Sequence, residues 1–140
     1  MTMKQTFNGW TQVTGWGTAL ASVGSAGVTT SGTIDNSTTK SFAMDVGLFW
    51  DKDSATGTGL IELWLLTLLN DGSDQLEDAP ALGGQLIGFV TTAAETNQRS
   101  KRWRVSDLPE KFAFYLVNNS GIGLGATSDL RYRLIDLVDQ

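Results

Sequence analysis

The stretch that most constrains this chain runs from Leu60 to Gly72, Leu-Ile-Glu-Leu-Trp-Leu-Leu-Thr-Leu-Leu-Asn-Asp-Gly. It is apolar at nearly every position up to Leu69, yet it is too short, and too interrupted by Glu62 and Thr67, to span a bilayer. A helix of about ten residues fits the same composition, but the bounding Gly59 and Gly72 and the β-like runs on either side favour a central strand. Such a strand sets Ile61, Leu63, Leu65, Thr67 and Leu69 on one face and Leu60, Glu62, Trp64, Leu66 and Leu68 on the other. Both faces are then largely apolar. That requires a second sheet on one side and a long loop, or another subunit, on the other.

Neighbouring segments repeat the period of two. From Lys40 to Trp50, Phe42, Met44, Val46, Leu48 and Trp50 alternate with Ser41, Ala43, Asp45, Gly47 and Phe49, the pattern of a half-buried antiparallel strand. Phe112, Phe114 and Leu116 oppose Ala113, Tyr115 and Val117 before the turn Asn118-Asn119-Ser120-Gly121. In the last run Leu130, Tyr132 and Leu134 oppose Arg131, Arg133 and Ile135. Short strands are expected at 86–90 and, as an edge, at 28–34, with a weaker one between Trp10 and Leu20. In the basic run 101–105, Trp103 and Val105 oppose Arg102 and Arg104, and Pro109 marks a turn. About eight strands without a convincing amphipathic helix predict an all-β fold, a two-sheet, jelly-roll-like sandwich over residues 10–140. An up-and-down barrel is the rival, disfavoured by uneven strand spacing and by long connections at 21–27 and 73–85. Residues 1–9, polar apart from Phe7, are expected to form a flexible arm.

Composition narrows the chemistry. The 140 residues include no Cys and no His, which removes disulfides, thiol nucleophiles, thiolate metal sites and the commonest general base. No Gly-x-Ser-x-Gly elbow or phosphate loop occurs, so no enzyme is expected: no catalytic residues, no cofactor and no bound metal. Asp51 and Asp53, and Asp71, Asp74, Glu77 and Asp78, lack the spacing of an EF-hand loop. The loops 51–59 and 73–84 nevertheless leave open an alternative, a sandwich module binding glycan or Ca²⁺. The polar N-terminus predicts no signal peptide, and no run is long enough for a membrane span. Synthesis in a reducing cytoplasm is the simple inference.

Charge is uneven: residues 1–98 carry 3 Lys or Arg against 10 Asp or Glu, and residues 99–140 carry 7 against 5. This speaks against DNA wrapping and for complementary patches between copies or toward a partner. Arg99, Lys101, Arg102 and Arg104 around Trp103 could contact nucleic acid or stack on sugar, but protection of a sheet edge or a subunit interface is favoured. Five tryptophans are a heavy aromatic load. If Trp64 faces away from the inter-sheet core with Leu66 and Leu68, self-association or residues 1–20 must cover it. The interface candidates are Phe7, Trp10, Trp16, Trp64, Arg99, Arg102, Trp103 and Arg104.

Ile-Glu-Leu-Trp-Leu-Leu at 61–66, Asn-Asp-Gly at 70–72, a long loop, the basic strand, Asp-Leu-Pro-Glu-Lys-Phe-Ala-Phe-Tyr-Leu-Val-Asn-Asn-Ser-Gly at 107–121 and Leu-Arg-Tyr-Arg at 130–133 follow in a recognisable order. Over roughly Lys40 to Arg133 the chain resembles the jelly-roll cement or decoration proteins of tailed phages, which sit on HK97-fold capsids, often as trimers. The resemblance implies a non-enzymatic virion protein, made in the host cytoplasm and located on the capsid surface. It also implies a homo-oligomer, with a trimer favoured, bound to the major capsid protein across capsomer junctions, with neither nucleic acid nor membrane as partner.

Overall fold

Strands with one apolar parity must bury it against a second layer, and here the runs pair into two antiparallel sheets with that parity turned inward. The computed structural model describes residues 2–13, 16, 20, 23–24, 27–50, 59–68, 84–91, 99–125 and 127–139, without the side chain of Arg99. Sheet I contains β1 (Met3–Phe7), β2 (Thr11–Gln12), β5 (Ala43–Trp50), β8 (Arg99–Ser106) and β10 (Asp129–Asp139). Its order is β1-β10-β5-β8, with β2 also on β10. Sheet II contains β3 (Val28–Thr30), β4 (Ile34–Asp35), β6 (Leu60–Thr67), β7 (Gln85–Thr91) and β9 (Lys111–Asn119). Its order is β3-β9-β6-β7, with β4 also on β9.

The eight strands expected and the ten observed differ for one reason. β1 and β2 are two pieces laid along β10, and β3 and β4 are two pieces along β9. With each broken strand counted once, the first pairs with the last, the second with the next to last, the third with the sixth and the fourth with the fifth. Nested pairing of this kind is an antiparallel ribbon wrapped on itself, which is the jelly-roll topology. Among the described residues there is no helix long and apolar enough to cross a membrane.

The inner faces supply the core. Met44, Val46 and Leu48 of β5, Ile61, Leu63 and Leu65 of β6, and Phe112, Phe114 and Leu116 of β9 are all buried in it. Phe112 meets Phe114 edge-on at 6.0 Å. On the outer face of β6, Leu66 and Leu68 are buried as well, as expected of a strand covered on both sides. Trp64 is only half-buried there, its indole N–H donating to Glu62 Oε2 at 3.1 Å.

Two expectations need correction. Trp16, expected among the interface aromatics, has no exposed surface and packs on Phe114 at 6.2 Å, so it is a core residue that a neighbouring molecule does not reach. Stacking on sugar, the disfavoured alternative for the basic run, does not fit the placement of Trp103. Its strand parity turns it inward, where it is half-buried against the core beside Gly88 of β7, while Arg102 and Arg104 point outward. This contact joins the β8 edge of one sheet to the β7 edge of the other. A Cβ at Gly88 would lie 2.2 Å from Trp103 Nε1. Gly88→Ala should therefore destabilise by about 1–3 kcal/mol, because a packed indole has little room to retreat. A change within experimental error in a urea melt would contradict that packing.

Residues 1–9, expected as a flexible arm, contain β1. Met3–Phe7 pairs in register with Asp139–Ile135 of β10. All five β1 residues are exposed, so no burial pattern announces the strand. Its order comes from the free edge of β10, which extends past the start of β5 at Ala43.

Candidate functional site

Register builds a surface on the outer face of sheet I from residues far apart in sequence. Three rungs cross β8, β5 and β10: Ser100, Phe49 and Asp129; then Arg102, Gly47 and Arg131; then Arg104, Asp45 and Arg133. Because paired residues in an antiparallel ladder share a face, each rung presents its three side chains together.

The third rung is an ion network. Asp45 is buried, its side chain 5% exposed, and two guanidinium groups hold it: Arg104 Nε donates at 2.8 Å, and Arg133 donates from Nε at 3.0 Å and Nη2 at 2.8 Å. The hydrogen bond from Arg104 holds the Asp45 carboxyl below the usual carboxylate range, Arg133 adds to it, and burial opposes both. The same arginines seat the N-terminal segment. Arg133 lies 4.6 Å from the centre of the Phe7 ring and 4.9 Å from that of Trp10, and Arg104 lies 5.7 Å from Phe7. Buried Asp45 thus fixes two cations, and the cations fix two aromatics.

A group whose pKa is lowered by folding adds stability above its unfolded value, and the gain disappears as pH falls through the folded one. Asp45→Asn should therefore cost about 1–3 kcal/mol at pH 7, where Arg104 is half in water and its share is screened. The gap between the two proteins should narrow below about pH 4, the ordinary aspartate range. Parallel chemical melts at pH 7 and pH 3 check this, and a gap that widens on acidification would contradict it.

On the middle rung, Gly47 makes room for an aromatic. Trp10 lies across it, its ring atoms 3.6 and 3.7 Å from where a Cβ would stand. Trp10 remains 40% exposed and forms one wall of a trough of about 600 Å³. Phe49, Lys101, Arg102, Asp129 and Arg131 line the remainder. Asp129 accepts from Arg131 Nε at 2.6 Å and from Gln12 Nε2 at 2.8 Å. A smaller hollow of about 270 Å³ adjoins it at Asp45, Arg104 and Arg133.

Of the interface candidates, the fold brings Phe7, Trp10, Arg102 and Arg104 onto this one face. Trp64 lies on the other sheet. Arg99 stands opposite Trp50 at the end of β8. The residues that sequence reasoning did not single out are Asp45, Gly47, Phe49, Asp129, Arg131 and Arg133. Their signal was the shared outward parity of Arg102, Arg104, Arg131 and Arg133, which becomes one surface only once β8 and β10 are known to flank β5. The loops 51–59 and 73–84, proposed for glycan or Ca²⁺, lie outside the described residues except at Gly59 and Gly84, and with them Asp51, Asp53, Asp71, Asp74, Glu77 and Asp78. Among the described residues no group of three acidic side chains could hold a metal ion.

No protein-family model and no curated protein matches this chain. Among solved structures, the chain is similar to the CBM22-1 xylan-binding domain of Xyn10C from Paenibacillus barcinonensis, at 12% identity and a TM-score of 0.41, over 94% of this chain and 87% of that one.

Proposed function

We propose that this domain is a non-enzymatic structural protein that assembles edge to edge with further copies of itself and reinforces or decorates a phage capsid. One observation carries the assembly: among the described residues, two apolar strand edges on opposite flanks have no neighbouring strand. On one flank, the ribbon of β1 and the end of β10 exposes Met3, Leu137 and Val138, and β3, an end strand of sheet II, exposes Val28. On the other flank, β7 ends sheet II beside β8 and exposes Leu86 and Phe89. Exposed apolar edges of this kind are templates for strand addition. A two-stranded ribbon is also marginal in water unless something covers it.

Because the edges differ and face opposite ways, ribbon-to-β7 pairing is head-to-tail, and such contacts close into rings when the rotation permits. A trimer is the ring we favour. The capsid as the place of assembly rests on the resemblance of residues 40–133 to decoration proteins. There, contacts to the major capsid protein would be individually weak and collectively strong, through the lattice.

Sedimentation equilibrium of the full chain tests the assembly. A closed oligomer is expected, and Leu137→Lys with Val138→Lys should dissociate it while leaving the protomer folded. A wild-type chain that stays monomeric as concentration rises would contradict the reading.

A second reading, a module that binds glycan, is favoured by the trough beside Trp10, where an exposed indole and polar side chains converge.

A further inference from the structure

We infer that the trough on the outer face of sheet I is a site for an acidic saccharide, a sugar acid whose carboxylate meets Arg102 while its ring lies against Trp10. This rests on the glycan-binding reading and goes beyond it by naming the ligand class. Four observations converge.

Both oxygens of Asp129 are engaged, one by Arg131 and one by Gln12, which accounts for the positive charge of Arg131. Arg102, by contrast, is exposed at the trough and forms no ion pair among the described residues. A cation left without a counter-charge among the described residues, in a concavity, favours an anionic ligand there.

Trp10 supplies a flat apolar wall whose position is set on two sides. Arg133 lies 4.9 Å from its ring centre, and the Gly47 backbone lies beneath its outer edge. A sugar ring has an apolar C–H face that fits such a wall, and the indole is already ordered before binding.

Asp129 and Ser100 then discriminate among anions. A carboxylate retains unused acceptor lone pairs after two hydrogen bonds, and a hydroxyl both donates and accepts. These groups match the hydroxyls of a sugar. An acidic peptide offers no such row of hydroxyls.

Size and charge exclude a longer polyanion. The trough, at about 600 Å³, suits a small molecule. Nucleic acid requires many phosphate contacts, and a chain of net charge −5 opposes them.

Calorimetric titration of the full chain decides the matter, with trigalacturonic acid as the acidic probe, the neutral galactotriose as its uncharged counterpart and triglutamate as the peptide control. Trigalacturonate is expected to bind at least tenfold more tightly than galactotriose, with no measurable binding of triglutamate. Arg102→Ala should weaken trigalacturonate at least tenfold and leave galactotriose unchanged. Because Arg102 is exposed, the variant's melting temperature should match the parent's, and Lys101→Ala, a neighbouring exposed cation of the opposite parity, should bind trigalacturonate as the parent does. Galactotriose binding as tightly as trigalacturonate would overturn the acidic ligand and leave glycan binding standing. Failure of both sugars would overturn the two together. Triglutamate binding at equal strength would show charge attraction without a sugar site, and Arg102→Ala without effect would show that the acidic sugar binds elsewhere.

Discussion

Trp16→Ala should destabilise the protomer by about 3–5 kcal/mol, the largest loss expected of any single substitution considered in this chain. The indole has no exposed surface, lies 6.2 Å from the Phe114 ring and belongs to the cluster that includes Leu20, Phe112 and Leu116. Truncation would remove the transfer free energy of a large side chain and leave a cavity between two sheets whose ladders restrain collapse. Marginal proteins hold only about 5–15 kcal/mol in total, so the variant should melt far below the parent or fail to fold. Trp16→Phe, which keeps most of the contact, should recover about half the loss. A Trp16→Ala protein that melts within a few degrees of the parent but has lost its oligomeric state would return Trp16 to the interface.

The second large effect is expected from removing residues 1–9. The deletion takes away β1, exposing the β10 edge from Ile135 to Asp139, and releases Phe7 from Arg133 and Arg104. Since every residue of β1 is exposed, the protomer loses little buried area. About 1–2 kcal/mol and a few degrees of melting temperature are the expected losses, from ladder hydrogen bonds and the cation–ring contacts. Association should suffer far more, because the ribbon is one of the two edges that the assembly reading requires. Size-exclusion chromatography with light scattering should find a folded monomer. An oligomer that survives the deletion would transfer the interface elsewhere, and a collapse of the fold would make the segment part of the core.

Some of this was legible in the chain. The runs that became β5, β9 and β10 alternate because one side of each strand is buried, and alternation survives in sequence without knowledge of partners, while the continuous apolar run of β6 marks a strand covered on both sides. Leu66 and Leu68 likewise announced a covered outer face. Other features left no such trace. β1 is exposed on both faces, so its strand conformation follows from the β10 edge and not from its own pattern. Trp16 stands among Thr and Gly, where a lone aromatic carries no period.

Asp45 read as a water-facing member of its strand, yet its partners Arg104 and Arg133 lie 59 and 88 residues away. The trough is the strongest case. Gly47, Arg102 and Arg131 form one rung only because β8 and β10 both pair with β5 in this register, and a slip of one residue would turn each set to the other face.

The most direct test of the central claim, that the projecting ribbon is covered by another copy, is amide hydrogen exchange of the full chain at several protein concentrations. Residues 3–7 and 136–139, together with β7, should become more protected as concentration rises, while the core strands β5, β6 and β9 stay unchanged. Ribbon amides that exchange at one fast rate, whatever the concentration, would contradict it.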